Sequence, residues 1–282
     1  MKGRTCLVTG GTSGIGKETA LALARMGANV VFTARNEGTG AATRDEIVRA
    51  SNNSSTDFIE CDLSDLTAVR DCCNKFKGTH QLLHVLINNA GTWKPHREVS
   101  KDGIEMTFAV NHLAHFLMTN LLLDVVRMSA PARIISVSSG LHGGSINFDD
   151  IGFAGRYRGM AAYRQSKLAN ILFVKELSRR LSGTGVTANC LMPGFVSTGL
   201  FRDSSPISKA FVRVFGSIPE KGAETPIYLA SSPEVQGISG ECFKKKKVVG
   251  TSKESNDRDL AAKLWAFSEK CTKRWLPTDS MH

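Results

Sequence analysis

Short β-branched, apolar runs alternate with helix-period segments along the whole chain, and no other feature constrains the fold as much. The runs are Thr5–Thr9, Asn29–Thr33, Asp57–Cys61, Leu82–Ile87, Arg133–Val137, Val186–Leu191 and Gly240–Phe243. Between them, apolar residues recur at helical spacing, most clearly over Lys17–Met26, Leu66–Phe76, Met106–Met128, Tyr163–Leu181 and Glu224–Ser231. The strand candidates are nearly continuous in apolar residues, as expected of strands buried on both faces. Strand–helix alternation of this kind predicts a doubly wound α/β domain, with about seven parallel strands and helices on both faces. A chain of 282 residues has room for one large domain or two small ones. No linker or repeat divides this one, so a single domain over 1–282 is expected.

Two stretches break the rhythm. One is a Gly- and Arg-containing insertion over 140–159. The other, 194–220, carries Leu200, Phe201, Ile207, Phe211, Val212, Val214 and Phe215 among Gly199, Pro206, Gly216 and Pro219. Long segments after the carboxyl ends of parallel strands are where open α/β sheets place ligands, so 194–220 is expected to form a substrate lid. The tail carries Leu260, Leu264, Phe267, Cys271 and Trp275 at helical spacing, which predicts an amphipathic helix over about 258–276 that docks on the domain.

Composition removes several classes of function. No window approaches the ~20 apolar residues of a membrane span. Met1-Lys2-Gly3-Arg4 leads straight into the first strand with no room for a signal peptide, so an intracellular, soluble protein is expected. The seven cysteines include no C-x-x-C pair and no zinc spacing, which points to reduced, mostly buried thiols and no metal. The formal charge of +10 includes the run Lys244–Lys247 together with Arg156, Arg158 and Arg164. A basic balance suits an anionic cofactor, an acidic membrane surface or nucleic acid, although a solvated face is the plainer account of the lysine run.

Chemistry concentrates at the ends of the strand candidates. Gly10-Gly11-Thr12-Ser13-Gly14-Ile15-Gly16 follows the first strand and opens a helix, the context of a phosphate-binding loop. The second strand, Val30-Val31-Phe32-Thr33-Ala34, ends without the acidic residue that binds a ribose 2′-hydroxyl. Arg35 stands there instead, and a guanidinium in that place pairs well with a 2′-phosphate, although an arginine in a turn would look the same. Tyr163 and Lys167 are four apart and share a helix face, so the ammonium is expected to lower the phenol from its usual pKa of ~10 toward the working range. Asn88-Asn89-Ala90-Gly91, Ser138-Ser139 and Pro193-Gly194 end three further strands on the same side of the sheet.

Taken together, Thr9-Gly10-x-x-x-Gly14-x-Gly16, Asn88–Gly91, Asn111, Ser139, Tyr163-x-x-x-Lys167 and Pro193-Gly194-x-x-x-Thr198 resemble the short-chain dehydrogenase/reductase family over residues 4–243. Asn111-His112-Leu113-Ala114-His115-Phe116, Ser166–Asn170 and Tyr228–Glu234 are similar to its retinol dehydrogenase branch. The resemblance implies a Rossmann-type fold and alcohol–carbonyl interconversion with NADP(H). It assigns proton transfer to Tyr163, stabilisation of the substrate oxygen to Ser139, and support of the tyrosine and the nicotinamide ribose to Lys167. Asn111 would position a water that links Lys167 to solvent. Gly10, Thr12, Ser13, Gly14, Ile15 and Gly16 would surround the diphosphate, with Arg35 at the 2′-phosphate. Asp62 and Leu63 would contact the adenine, and Asn89 and Gly91 the adenosine-side ribose, with Ala90 between them also in the cofactor site. Val196 and Thr198 would contact the carboxamide, and Pro193 would also belong to the cofactor site.

The chain departs from the family pattern in three ways. Ser13 stands where many NADP-preferring relatives carry a second basic residue, Tyr163 follows Ser139 by 24 residues, and no counterpart of the hydrophobic anchor of membrane-bound retinol dehydrogenases is expected from this sequence. The expected partner is a small lipophilic alcohol or carbonyl compound (retinoid, aldehyde or steroid-like), with no nucleic acid. A peripheral membrane contact and a homo-oligomer stay open. The alternatives are a dinucleotide-binding sensor without turnover and a basic membrane- or nucleic-acid-associated protein on the same fold.

Overall fold

A computed structural model of the protein describes residues 1–193 and 218–276. Seven strands run parallel: β1 (Thr5–Val8), β2 (Asn29–Ala34), β3 (Thr56–Glu60), β4 (Val85–Asn88), β5 (Ala132–Val137), β6 (Val186–Leu191) and β7 (Cys242–Lys244). Their order is β3-β2-β1-β4-β5-β6-β7, closed by the antiparallel β8 (Lys247–Val248). The chain therefore leaves β1 toward one edge and returns at β4 toward the other, and a crevice opens where the direction switches. The lysine run forms the tight turn between β7 and β8, with Lys245 and Lys246 in the left-handed region at φ 50° and 63°.

The connecting helices are α1 (Gly14–Arg25), α2 (Glu37–Ser51), α3 (Leu66–Thr79), α4 (Met106–Phe108), α5 (Ala114–Leu121), α6 (Leu123–Met128), α7 (Gly159–Arg180), α8 (Pro219–Ser231) and α9 (Arg258–Thr272). Side chains alternate along each strand. Cys6, Val8 and Phe32 face α1, α2 and α8, whereas Leu7 and Val31 face α3, α5, α6, α7 and α9. Both sheet faces are thus covered. Helix α9 docks through Trp265, whose ring centroid lies 5.0 Å from Phe116 and 5.8 Å from Phe173, with the Arg180 guanidinium 4.2 Å over the indole.

Two differences from the sequence pattern matter for the site. Helix α2 buries only Gly40, Thr43 and Ile47, so it carries no apolar stripe to read, and it is held by an Asn36 cap on the Thr39 N–H at 2.9 Å. The segment expected as one helix over Met106–Met128 instead passes from α4 through a π-helical turn, Ala109–Leu113, before α5. Such turns insert one extra residue and are frequent at functional sites. This one contains Asn111.

Candidate active site

A cavity of about 620 Å³ lies at the carboxyl edge where β1 and β4 diverge. Its first wall is built mainly from backbone. The Gly10 N–H donates to Thr33 Oγ1 at 3.0 Å and the Gly11 N–H to the Thr33 carbonyl at 3.2 Å, which fixes the loop against β2. Thr9 Oγ1 accepts from the Asn89 N–H at 2.8 Å and the Ala90 N–H at 3.0 Å, which joins the ends of β1 and β4. Gly14 opens α1 at φ +55°, where a side chain would be strained. A Cβ on Gly16 would stand 2.3 Å from the Gly10 carbonyl oxygen. Helices α2, α3 and α9 are capped by Asn36, Asp65 and Asp257, but Ser13 makes no side-chain cap for α1 and its first turn holds no acidic residue. The N–H groups and positive dipole end of α1 are left to the cavity, which suits a diphosphate. Arg35, exposed just past β2, reaches the same space, as do Asp62 and Leu63, and Asp62 Oδ1 holds Ser64 through its N–H at 3.0 Å and its hydroxyl at 2.8 Å. This donor set fits a dinucleotide.

The second wall is built from buried polar side chains of β5, α7 and the π turn. Tyr163 and Lys167 are 6% and 3% exposed, and Lys167 Nζ lies 5.7 Å from the Tyr163 ring centroid. Lys167 Nζ donates to the Val137 carbonyl at 3.1 Å, while Ser138 Oγ donates to the Lys167 carbonyl at 2.8 Å, pinning α7 to the end of β5. Ser139 Oγ accepts from the Leu141 N–H at 3.1 Å, leaving its own hydrogen to donate. Burial raises the Tyr163 phenol above its ordinary value, opposed by its hydrogen bond with Ser139, and burial lowers Lys167 to about 8. Desolvation therefore dominates at the phenol, the opposite of the direction expected from the spacing alone.

Asn111 lies behind this pair. Its Oδ1 accepts from the Thr92 N–H at 2.7 Å, and its Nδ2 donates to the Thr92 carbonyl at 3.0 Å and to Ser166 Oγ at 2.9 Å. Ser166 Oγ donates in turn to the Tyr163 carbonyl at 2.8 Å. The π turn, the loop after β4 and the first turns of α7 are thereby locked together.

The cavity brings together Gly10, Thr12, Ser13, Gly14, Ile15 and Gly16 with Arg35, Asp62, Leu63, Asn89, Ala90 and Gly91. Ser139, Tyr163, Lys167 and Pro193 line it as well. Asn111 is fully buried outside its lining, and Val196, Thr198 and the 194–217 part of the expected lid lie outside the described residues. Sequence reasoning placed Thr9 in the glycine-loop motif but gave neither it nor Thr33 a role, although their hydroxyls set the loop; their one structural signal is a threonine closing or nearly closing an apolar strand. It also left Lys244, which ends β7, outside the site, yet this residue lines the cavity. Among the described residues there is no group of three His, Cys, Asp or Glu side chains that could hold a metal ion, and no helix long and apolar enough to cross a membrane.

The model of the short chain dehydrogenase family matches residues 4–207. Human retinol dehydrogenase 14 is 43% identical over 289 residues, covering 95% of this chain and 86% of that one. A crystal structure of an uncharacterized protein from Mycobacterium paratuberculosis superposes with a TM-score of 0.78 at 34% identity, covering 96% of this chain and 94% of the other. A short chain dehydrogenase from Burkholderia cenocepacia in complex with NADP superposes with a TM-score of 0.70 at 26% identity, over 86% of this chain and 96% of that one. With a glycine loop, an Asn-Ala-Gly strand end and a Tyr/Lys helix gathered on one crevice, the chain belongs to the short-chain dehydrogenase/reductase family of oxidoreductases and is retinol dehydrogenase-like.

Proposed function

We propose that this protein interconverts an alcohol and a carbonyl group on a lipophilic substrate (retinoid, aldehyde or steroid-like), using NADP(H) and with Tyr163 as the general acid/base. The observation that carries the reading is that Tyr163, Ser139 and Lys167 line the same cavity as the open end of α1 and Arg35. The nicotinamide would supply or accept the hydride, and the protein's part is alignment and electrostatics. In the direction of reduction Tyr163 Oη gives its proton to the carbonyl oxygen, and in oxidation it takes one from the alcohol. The Ser139 hydroxyl, held by the Leu141 N–H, donates to the same oxygen as negative charge develops. Lys167, anchored on the Val137 carbonyl, keeps a positive charge near the phenol at neutral pH and would hold the nicotinamide ribose. Asn111 positions the water through which Lys167 exchanges protons with solvent. A lipophilic substrate is supported by Met106, Val110, Leu141 and Met192, which give the cavity apolar surface next to the catalytic pair.

The test is NADPH oxidation against retinal, medium-chain aldehydes, steroid ketones and quinones, with Tyr163→Phe run in parallel. We expect turnover of at least one class, and a fall in kcat of about 100-fold or more in Tyr163→Phe with NADPH affinity nearly unchanged. Wild-type turnover in that variant would end the assignment. NADPH binding without turnover of any class would favour a dinucleotide sensor.

A further inference from the structure

His115 is a buried titratable group that this mechanism does not use, and it sits between the two walls of the site. Its Nδ1 lies 3.2 Å from the Asn111 carbonyl oxygen and its Nε2 lies 2.9 Å from Thr9 Oγ1. A carbonyl can only accept, so Nδ1 carries the hydrogen. Burial holds the ring neutral, with its pKa lowered to about 4 and the charge of Lys167 acting in the same sense. His112, one turn earlier and itself lowered to about 3, is the other titratable group bearing on it, and it stays neutral as well. A neutral ring protonated on Nδ1 must accept at Nε2, so the Thr9 hydroxyl donates there, and the competing acceptor, the Ile87 carbonyl, is farther away at 3.4 Å. The oxygen of Thr9 then keeps both lone pairs for the Asn89 and Ala90 N–H groups. One imidazole thus ties the strand that launches the phosphate loop to the carbonyl inside the π turn.

We propose that His115 is a positioning residue which couples the phosphate loop to the Asn111 carbonyl, so that the cofactor-holding end of β1 and the proton path behind Lys167 keep one register. The proposal rests on the cavity being a dinucleotide site with a Tyr163–Lys167 proton path. Two isosteres separate its two bonds, because an asparagine amide falls near the position of Nδ1 and a glutamine amide near that of Nε2. His115→Gln should keep the Thr9 contact and lose the one to Asn111. We expect NADPH affinity within about twofold of wild type, with the apparent pKa of the kcat profile moved. His115→Asn should do the reverse, weakening NADPH about fivefold with the profile in place. His115→Leu should show both changes. If all three variants lose stability and activity in parallel and neither isostere restores its own readout, His115 is only packing and the proposal falls.

A measurement on the wild type covers variants that fail to fold. Nitrogen-15 NMR of histidine-labelled protein should find His115 as the Nδ1–H tautomer, with an Nε2 resonance that moves when NADP⁺ is added. An Nε2–H tautomer, or a resonance indifferent to a cofactor that demonstrably binds, would overturn the coupling and leave the proposed activity standing. Failure of the wild type to bind NADP⁺ at all would instead overturn the reading on which the proposal rests.

Discussion

The two walls of the cavity use different materials. The wall formed by β1, α1, β2 and the end of β4 presents glycines, N–H groups and threonine hydroxyls, and Gly16 leaves no room for a side chain against the Gly10 carbonyl. The wall formed by β5 and α7 presents Lys167 and Tyr163, with Asn111 of the π turn and His115 of α5 buried behind them, and His115 and Lys167 are held far from their ordinary pKa values. A backbone-built site satisfies its own hydrogen bonds and asks only that side chains stay away. A side-chain site in the interior carries a desolvation cost for each polar group. The first wall should therefore be sensitive to added atoms and the second to removed ones, with stability responding in opposite senses.

The largest effect that sharpens this contrast is expected at Gly16. A Cβ there meets the Gly10 carbonyl oxygen at 2.3 Å and Asn89 Nδ2 at 2.4 Å, and the first contact cannot be relieved by moving a side chain. Gly16→Ala should shift the phosphate loop, weaken NADPH about 100-fold or more by fluorescence titration, and lower Tm. Near-normal affinity would mean that the loop does not hold the diphosphate. Arg35 is the side chain proposed for the 2′-phosphate on this wall, and a smaller effect is expected from it. Wild type should favour NADPH over NADH by about tenfold, or ~1.4 kcal/mol, and Arg35→Asp should erase or reverse that preference. Equal affinity of the wild type for the two cofactors would remove Arg35 from the site.

The same contrast explains what the sequence made legible. The buried parallel strands are continuous apolar runs, and the glycine loop is a local string, so both can be read without knowing the fold. Tyr163 and Lys167 are legible because helical spacing alone puts them on one face. Helix α2 was hidden because it buries only three residues, and the π turn because apolar residues continue across it without a change of period. The Thr9 node was hidden for another reason. Its partners Asn89 and His115 lie 80 and 106 positions away, and nothing local marks a threonine that will accept two N–H groups from a strand not yet formed.

The smallest predicted effect is also the one that tests the second wall most directly. Lys167 keeps its ammonium buried, which lowers its pKa from 10.5 to about 8. At pH 7 both folded and unfolded chains carry the charge, so the folded state bears the desolvation cost, which the size of the shift puts at roughly 3 kcal/mol. Between pH 8 and 10.5 the folded lysine is neutral while the unfolded one still binds a proton. Stability from this group therefore rises with pH across that window and is lowest below pH 8. Lys167→Met removes the charge and keeps most of the volume. It also loses the hydrogen bond to the Val137 carbonyl, but that oxygen still accepts from Asn170 Nδ2 at 3.3 Å and is not orphaned. Setting roughly 1.5–3 kcal/mol for a charged hydrogen bond against the relieved desolvation leaves a gain of about 1 kcal/mol at pH 7. That gain corresponds to a rise in Tm of ~2–4 °C by scanning calorimetry. The difference between variant and wild type should shrink as pH rises through 8–10.5, while oxidoreductase activity is lost at every pH. A variant that is less stable than wild type at pH 7, or a stability difference flat across that window, would show that Lys167 is not strained and that the second wall is no costlier than the first.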